Sequence, residues 1–216
     1  AVEISESDLR AAARQDIGDW FRFEIGPGQP LSAGVLGDRL PVTAYVGIAV
    51  WCHFHVDLVG PDTRITGNPE QVPPLAPIVL PEIRQHGYLA YPLVDHVADK
   101  TIAILQSYGP ERLPSTRYKD LVDLVAIVSQ SESEAEAQRV ALESQADRRG
   151  ITLPFAFSVP DRALWEPGYA AEAARSLLQA TLTLDEALTV VGGFLTPLLD
   201  GSAAGRWDPR NGCWVS

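Results

Sequence analysis

The sequence predicts an α+β protein. Alternating and β-branched segments crowd its first 90 residues, and amphipathic helical segments fill the rest. A hydrophobic content of 46% over 216 residues supports a packed core and argues against a disordered chain. The length fits one large domain or two small ones. The change from strands to helices divides the chain into residues 1–91 and residues 92–216. No internal repeat or low-complexity tract interrupts either part.

Residues 5–16 read as a helix capped by Ser5, with Asp8 three positions on as an acidic variant of the capping box. Trp20 to Gly26 alternates aromatic and polar residues, a strand signature, and Gly26 to Gly34 is a loop by its glycines and prolines. Leu40 to Val50 and Trp51 to Val59 are strand-like. Gly47 marks either a bulge in one long strand or a tight hairpin between two. On the second segment Trp51, His53, His55 and Asp57 share a face, with the histidines expected half-buried. Pro61 to Pro81 reads as loop with a short apolar run at Ile78–Leu80, and residues 88–91 as a short strand.

Pro92 suits the first turn of a helix over 92–107, whose buried stripe is Val94, Val97, Ala98, Thr101, Ile104 and Leu105. Ser115 or Thr116 can cap the next helix, with Leu121, Leu124, Val125 and Val128 as its core face. A polar amphipathic helix follows over 132–149, stopped by Gly150. Thr152 to Pro160 is extended, and a helix is expected over 161–179. Thr183 and Glu186 form a capping box that opens a helix over 184–199. The tail reads as loop docked by Trp207 and Trp214.

A formal net charge of −11 argues against a broad electrostatic grip on nucleic acid, which draws on Lys and Arg. No apolar run approaches the ~18 residues that span a bilayer, and the acidic N-terminal segment is unlike a signal peptide. The expected location is therefore the cytoplasm, with no membrane partner and with both cysteines, Cys52 and Cys213, reduced. The chain has no methionine, so either its initiator was removed or it begins inside a longer protein.

The chemistry concentrates between Asp95 and Ile127. Here lie the only two lysines, Lys100 and Lys119, against fifteen arginines, each lysine beside an aspartate. Lysine is a compact, mobile charge suited to phosphate, whereas arginine is a rigid fork. Lys100 falls at the flank of its helix's buried stripe, so its ammonium can lean into a cleft. Arg117, Lys119, Asp120 and Asp123 crowd the head of the next helix, with Asp120 and Asp123 on one face. Asp120 equally suits the helix dipole, and Asp57, at a strand end, equally suits a metal or a loop cap. Zinc on Cys52, His53 and His55 matches no structural zinc spacing. His86 and His96 read as loop and helix-surface residues. Carboxylates beside lysines and an arginine suit a nucleoside triphosphate carrying Mg²⁺: hard oxygens hold the metal and the cations neutralise phosphate.

At these residues the sequence resembles the AbiEii-like nucleotidyltransferase toxins of bacterial type IV-like toxin–antitoxin systems, members of the polymerase-β-like superfamily. The family's A-E-K-L-x-A helix resembles Ala98 to Ala103. Its S-R-x-K-D-x-x-D-L motif resembles Ser115 to Leu124 with one inserted residue, and F-x-x-D-L resembles Phe54 to Leu58. Val159 to Trp165 and Phe194 to Leu199 resemble its later patterns, so the likeness runs over most of the chain.

The resemblance implies a nucleotidyltransferase-like mixed sheet in the first part and a mainly helical second part carrying the Lys100 and Asp120 motifs. It implies transfer of a nucleotide from an NTP, with Mg²⁺, onto an acceptor that in some relatives is the tRNA 3′ end. It also implies a cognate antitoxin. By the same likeness Lys100 binds triphosphate, Asp120 acts in catalysis, and Arg117 and Lys119 assist. Asp57 is a third carboxylate near the metals, and Asp123 has a secondary role. The family's Gly-Ser and D-x-D motifs are absent from residues 1–216, so the chain alone is expected to be weakly active or inactive. The alternative is a non-catalytic relative that binds nucleotide or protein. A third reading takes the charges as caps and solvated faces.

Overall fold

The computed structural model describes residues 5–31, 37–60, 65–74, 87–176 and 182–216. Ile78–Leu80, His86, Leu177 and Leu178 lie outside the described residues. The chain forms two compact units, Ala1–Arg64 with Val72–Tyr88, and Ile65–Gln71 with Leu89–Ser216. Strands dominate the first and helices the second, as the α+β reading requires.

The first unit begins with α1, Glu6–Ala12, which has the Ser5–Asp8 capping box on both sides. It is shorter than the sequence suggests, because none of its residues is buried and packing does not extend it. Strands β1 (Phe21–Ile25), β2 (Gln29–Pro30), β3 (Gly37–Val46) and β4 (Ala49–Val59) follow. β1 and β2 both pair with β3, and β4 pairs with it too; every one of these pairings is antiparallel, where a mixed sheet was the expectation. Gly47, at φ +60°, resolves its two readings in favour of the hairpin: it turns β3 into β4 while Ile48 stands fully exposed. Leu40, Val42 and Ala44 are buried. His53 and His55 are exposed and not half-buried. Thr43 Oγ1 and His53 Nδ1 lie 3.1 Å apart.

β5 (Glu70–Val72) and β6 (Tyr88–Ala90) pair as a two-stranded ribbon. In the second unit, α2 (Leu93–Leu105) packs against α3 (Tyr118–Gln130) and α4 (Ala135–Arg149). α3 also packs against α5 (Arg162–Ala173) and α6 (Leu184–Leu199). The apolar stripes meet as their periodicity requires: Val97, Ala98 and Ile104 of α2 join Leu121, Leu124, Val125 and Val128 of α3 in one core. Thr183 and Glu186 form the expected capping box on α6.

Two segments read as irregular or helical are strands. Ser133–Glu134 (β7) precedes α4, and the tail folds into β8 (Arg206–Asp208) and β9 (Cys213–Val215) in a three-stranded sheet. Trp207 stands opposite both Ser133 and Trp214, so the buried indole recruits backbone partners on either side.

Asp95 ties the loop Ile65–Gln71 to the helical unit. Its fully buried carboxylate accepts from Thr66 N, Thr66 Oγ1 and Gly67 N at 2.8–3.1 Å. Gly67 permits this approach, since a Cβ there would stand 2.7 Å from Pro92 Cβ. Asp95→Ala strands these donors and is expected to cost about 1–3 kcal/mol in thermal or urea unfolding. Amide exchange should accelerate at Thr66 and Gly67; unchanged protection there would disprove the anchoring role.

Candidate functional site

The lysine that leaned off the apolar stripe of α2 finds its partners on α3. Lys100 Nζ donates to Asp120 Oδ1 at 3.1 Å and to Asp123 Oδ2 at 2.6 Å. The Lys100 side chain is only 11% exposed, Asp120 15% and Asp123 29%. The two aspartates reach one ammonium because they are three residues apart on a helix. Lys119, one turn before Asp123 and largely exposed, donates to both its oxygens at 2.9 and 3.1 Å. Arg117 Nη1 lies 3.9 Å from Asp120 Oδ2. Thus Lys100, Arg117, Lys119, Asp120 and Asp123 form one alternating cluster.

The backbone around the cluster is fixed from behind. Arg117 occupies the N-cap of α3 without a side-chain cap. Neither Ser115 nor Thr116 is the N-cap of α3, though Ser115 Oγ accepts from the Arg117 amide at 3.3 Å just ahead of the helix. The buried Ser115 hydroxyl donates to Ala103 O at the end of α2, and the Ser115 carbonyl accepts from Trp165 Nε1 of α5. The Tyr118 ring stands edge-on to Trp165 at 5.1 Å and lies over Gly168, where any Cβ would strike it. Sequence reasoning missed this support. Its signal was the pairing of Trp165 with a glycine three residues later on the same helix face.

Other neighbours were also missed. Asp99 does not pair with Lys100. It accepts from Tyr91, Arg148 and Arg149, clamping α2 to the end of α4. His96, one turn before Lys100 and edge-on to Tyr91, is held below the usual histidine range by partial desolvation and the Lys100 charge. Burial and the neighbouring Asp99 push the Tyr91 phenol up.

Burial pushes the Asp123 carboxyl up, but hydrogen bonds from Lys100 and Lys119 outweigh it and hold the group below the ordinary aspartate range. A depressed folded pKa contributes stability above the unfolded value, lost as pH falls through the folded one. Asp123→Asn should therefore destabilise the protein at pH 7, and the difference from the native protein should shrink below about pH 4. Melting curves across that range check it; a constant difference would show that charge is not the cause.

Asp57 belongs to the other unit. On β4 it faces Arg39 of β3, which donates to both its oxygens at 2.7 Å. The Arg39 hydrogen bonds hold its carboxyl below the ordinary range. Cys52 and Cys213 are exposed free thiols. Among the described residues no three His, Cys, Asp or Glu side chains gather to hold a metal. Asp57 is engaged by a guanidinium, and Asp120 and Asp123 by ammonium groups. This donor set does not fit a resident divalent cation, which needs several free oxygens.

Among the described residues no helix is long and apolar enough to cross a membrane. No curated protein sequence matches the chain. A family model described as nucleotidyl transferase AbiEii toxin, type IV toxin–antitoxin system, matches residues 34–190. That span holds Asp57, Lys100, the α3 cluster and Trp165. The family's members are nucleotidyl transferase toxins that work opposite an antitoxin. With well over half its length matched, the chain belongs to the AbiEii nucleotidyl transferase toxin family.

Proposed function

We propose that the α2–α3 cluster is where a nucleoside triphosphate is bound and its nucleotide transferred to an acceptor hydroxyl, with the tRNA 3′ end as acceptor, in the cytoplasm. One observation carries this reading. Lys100, from a helix twenty residues earlier, meets Asp120 within 3.1 Å in a largely sheltered position. In this reading residues 92–216 are the helical domain that carries the cluster. Residues 1–91 are the remainder of the α/β domain.

Lys100 binds the triphosphate, with Lys119 and Arg117 adding charge at its rim. The phosphate oxygens replace Asp120 as an acceptor from Lys100, which frees Asp120. The acceptor oxygen attacks the α-phosphorus, its proton passes to Asp120, and the bond to the β-phosphate oxygen breaks to release pyrophosphate. Asp123 has the secondary task of orienting both lysines. Mg²⁺ is taken as part of the substrate, arriving on the triphosphate. The resemblance assigns Asp57 a metal-side and catalytic role; its carboxylate is engaged by Arg39 within its own unit.

Calorimetric titration of the full chain with the four Mg²⁺–NTPs tests this. At least one should bind, and Lys100→Ala should weaken it about 100-fold, the worth of one or two charge-assisted hydrogen bonds. Undiminished binding by that variant overturns the reading. Incubation with α-labelled NTP and tRNA then separates two outcomes. Labelled tRNA that disappears in Asp120→Asn supports transfer. Binding without labelling supports a non-catalytic nucleotide-binding relative, a reading favoured by the closed Arg39–Asp57 pair.

A further inference from the structure

We propose that the groove between α3 and the end of α5 holds the nucleoside, base and ribose together, of the nucleotide whose phosphates lie on Lys100. This rests on the reading above and goes further by placing the rest of the substrate. The groove has a volume of about 510 Å³, within the range of roughly 300–1,000 Å³ common for small-molecule sites. Lys119, Val122, Asp123, Ala126 and Gln130 line it from α3, and Glu172 and Arg175 face them.

Three features select a nucleoside. The groove begins at the cluster itself: Asp123, whose Oδ2 accepts from Lys100 at 2.6 Å, and Lys119 belong to its wall. A phosphate chain on the two lysines therefore leaves the remainder of the molecule at the groove's mouth. Its length is also adequate. Lys119, Val122 or Asp123, Ala126 and Gln130 form one stripe of α3, and eleven residues of helix rise about 16 Å.

Its surface varies along that stripe in the way the substrate does. Val122 and Ala126 make a small apolar floor on which a planar ring can lie. Gln130, at the far end, offers both a donor and an acceptor to a base edge. Arg175 is 70% exposed and pairs with the neighbouring Glu172 at the surface, so its planar group can swing over a base. Asp123 and Glu172 can accept from ribose hydroxyls.

The test compares ligands that share the phosphates but not the nucleoside. Mg²⁺–ATP, GTP, CTP and UTP, and inorganic tripolyphosphate, are titrated into the full chain. Ala126→Trp fills the floor; it should weaken the bound NTP at least about 10-fold and leave tripolyphosphate unchanged. Gln130→Ala, at an exposed helix end that tolerates substitution, should alter the ranking of the four NTPs without touching tripolyphosphate. Lys100→Ala should weaken both ligand classes. If NTP binding ignores both groove variants while Lys100→Ala still abolishes it, the groove assignment is wrong and the transferase reading stands. If the native chain binds neither ligand class, both fall. A melting curve for each variant separates loss of binding from loss of fold. Should Ala126→Trp not fold, Gln130→Ala and Arg175→Ala decide alone.

Discussion

Trp165→Ala is expected to cost about 3–5 kcal/mol of stability, and to weaken nucleotide binding in the fraction that remains folded. The indole is fully buried, so its removal loses apolar burial and leaves a cavity that rigid helices only partly close. It also leaves the Ser115 carbonyl without its Nε1 donor and the Tyr118 ring without its edge contact. Both partners flank Arg117, and Tyr118 directly precedes Lys119. The head of α3 would therefore loosen where Lys119 and Asp120 are presented. Urea unfolding measures the first effect, and NTP titration well below the midpoint measures the second. Trp165→Phe should restore most of the packing but not the hydrogen bond, and so fall between. A loss of stability with unchanged NTP affinity would show that Trp165 supports only the core.

Trp207→Ala should be equally destabilising, about 3–5 kcal/mol, yet leave the affinity for tripolyphosphate, which reads the cluster alone, unchanged in the folded fraction. Trp207 is 1% exposed. Its Nε1 donates to Val128 O at 2.8 Å, at the far end of α3 from the cluster. Its ring contacts Phe194 and Trp214 at 5.1 and 5.5 Å. Eight residues of helix, about 12 Å, separate Val128 from Asp120. The variant would release the tail sheet and the α6 contact without moving Lys119 or Asp120. Unfolding curves that match Trp165→Ala, beside titrations that differ, would separate the two ends of α3. If Trp207→Ala also lost tripolyphosphate, the coupling would run along the whole helix.

Much of the helical unit is legible in the amino-acid sequence. The apolar spacing of Val97, Ala98 and Ile104, and of Leu121, Leu124, Val125 and Val128, is a local property of a 3.6-residue period. These residues are buried, but so are Ile102, Ala103 and Val122 off those stripes, while Val94 and Leu105 are only half-buried. The Thr183–Glu186 box and Gly150 act as their residue types require, with Gly150 left-handed at the end of α4. Lys100, Asp120 and Asp123 stand out by residue type and spacing, and the structure joins them. Trp207 and Trp214 dock the tail, but as strands; two- and three-residue strands exist only when a partner backbone is beside them, which no local pattern reveals.

The sequence by itself determined which faces are apolar, where α4 and α6 end or begin, and which charged residues are set apart from ordinary surface. Tertiary structure alone decided whom those charges meet. Asp99 sits next to Lys100 in the chain yet binds Arg148 and Arg149, about fifty residues on, while Lys100 turns to Asp120 and Asp123. Asp57 closes on Arg39, and Ser115 joins α2 to α5. The reason is one of range. Helix period and capping follow from neighbours within a few residues. A long, flexible charged side chain takes whichever partner the packing of separate elements brings within about 3 Å.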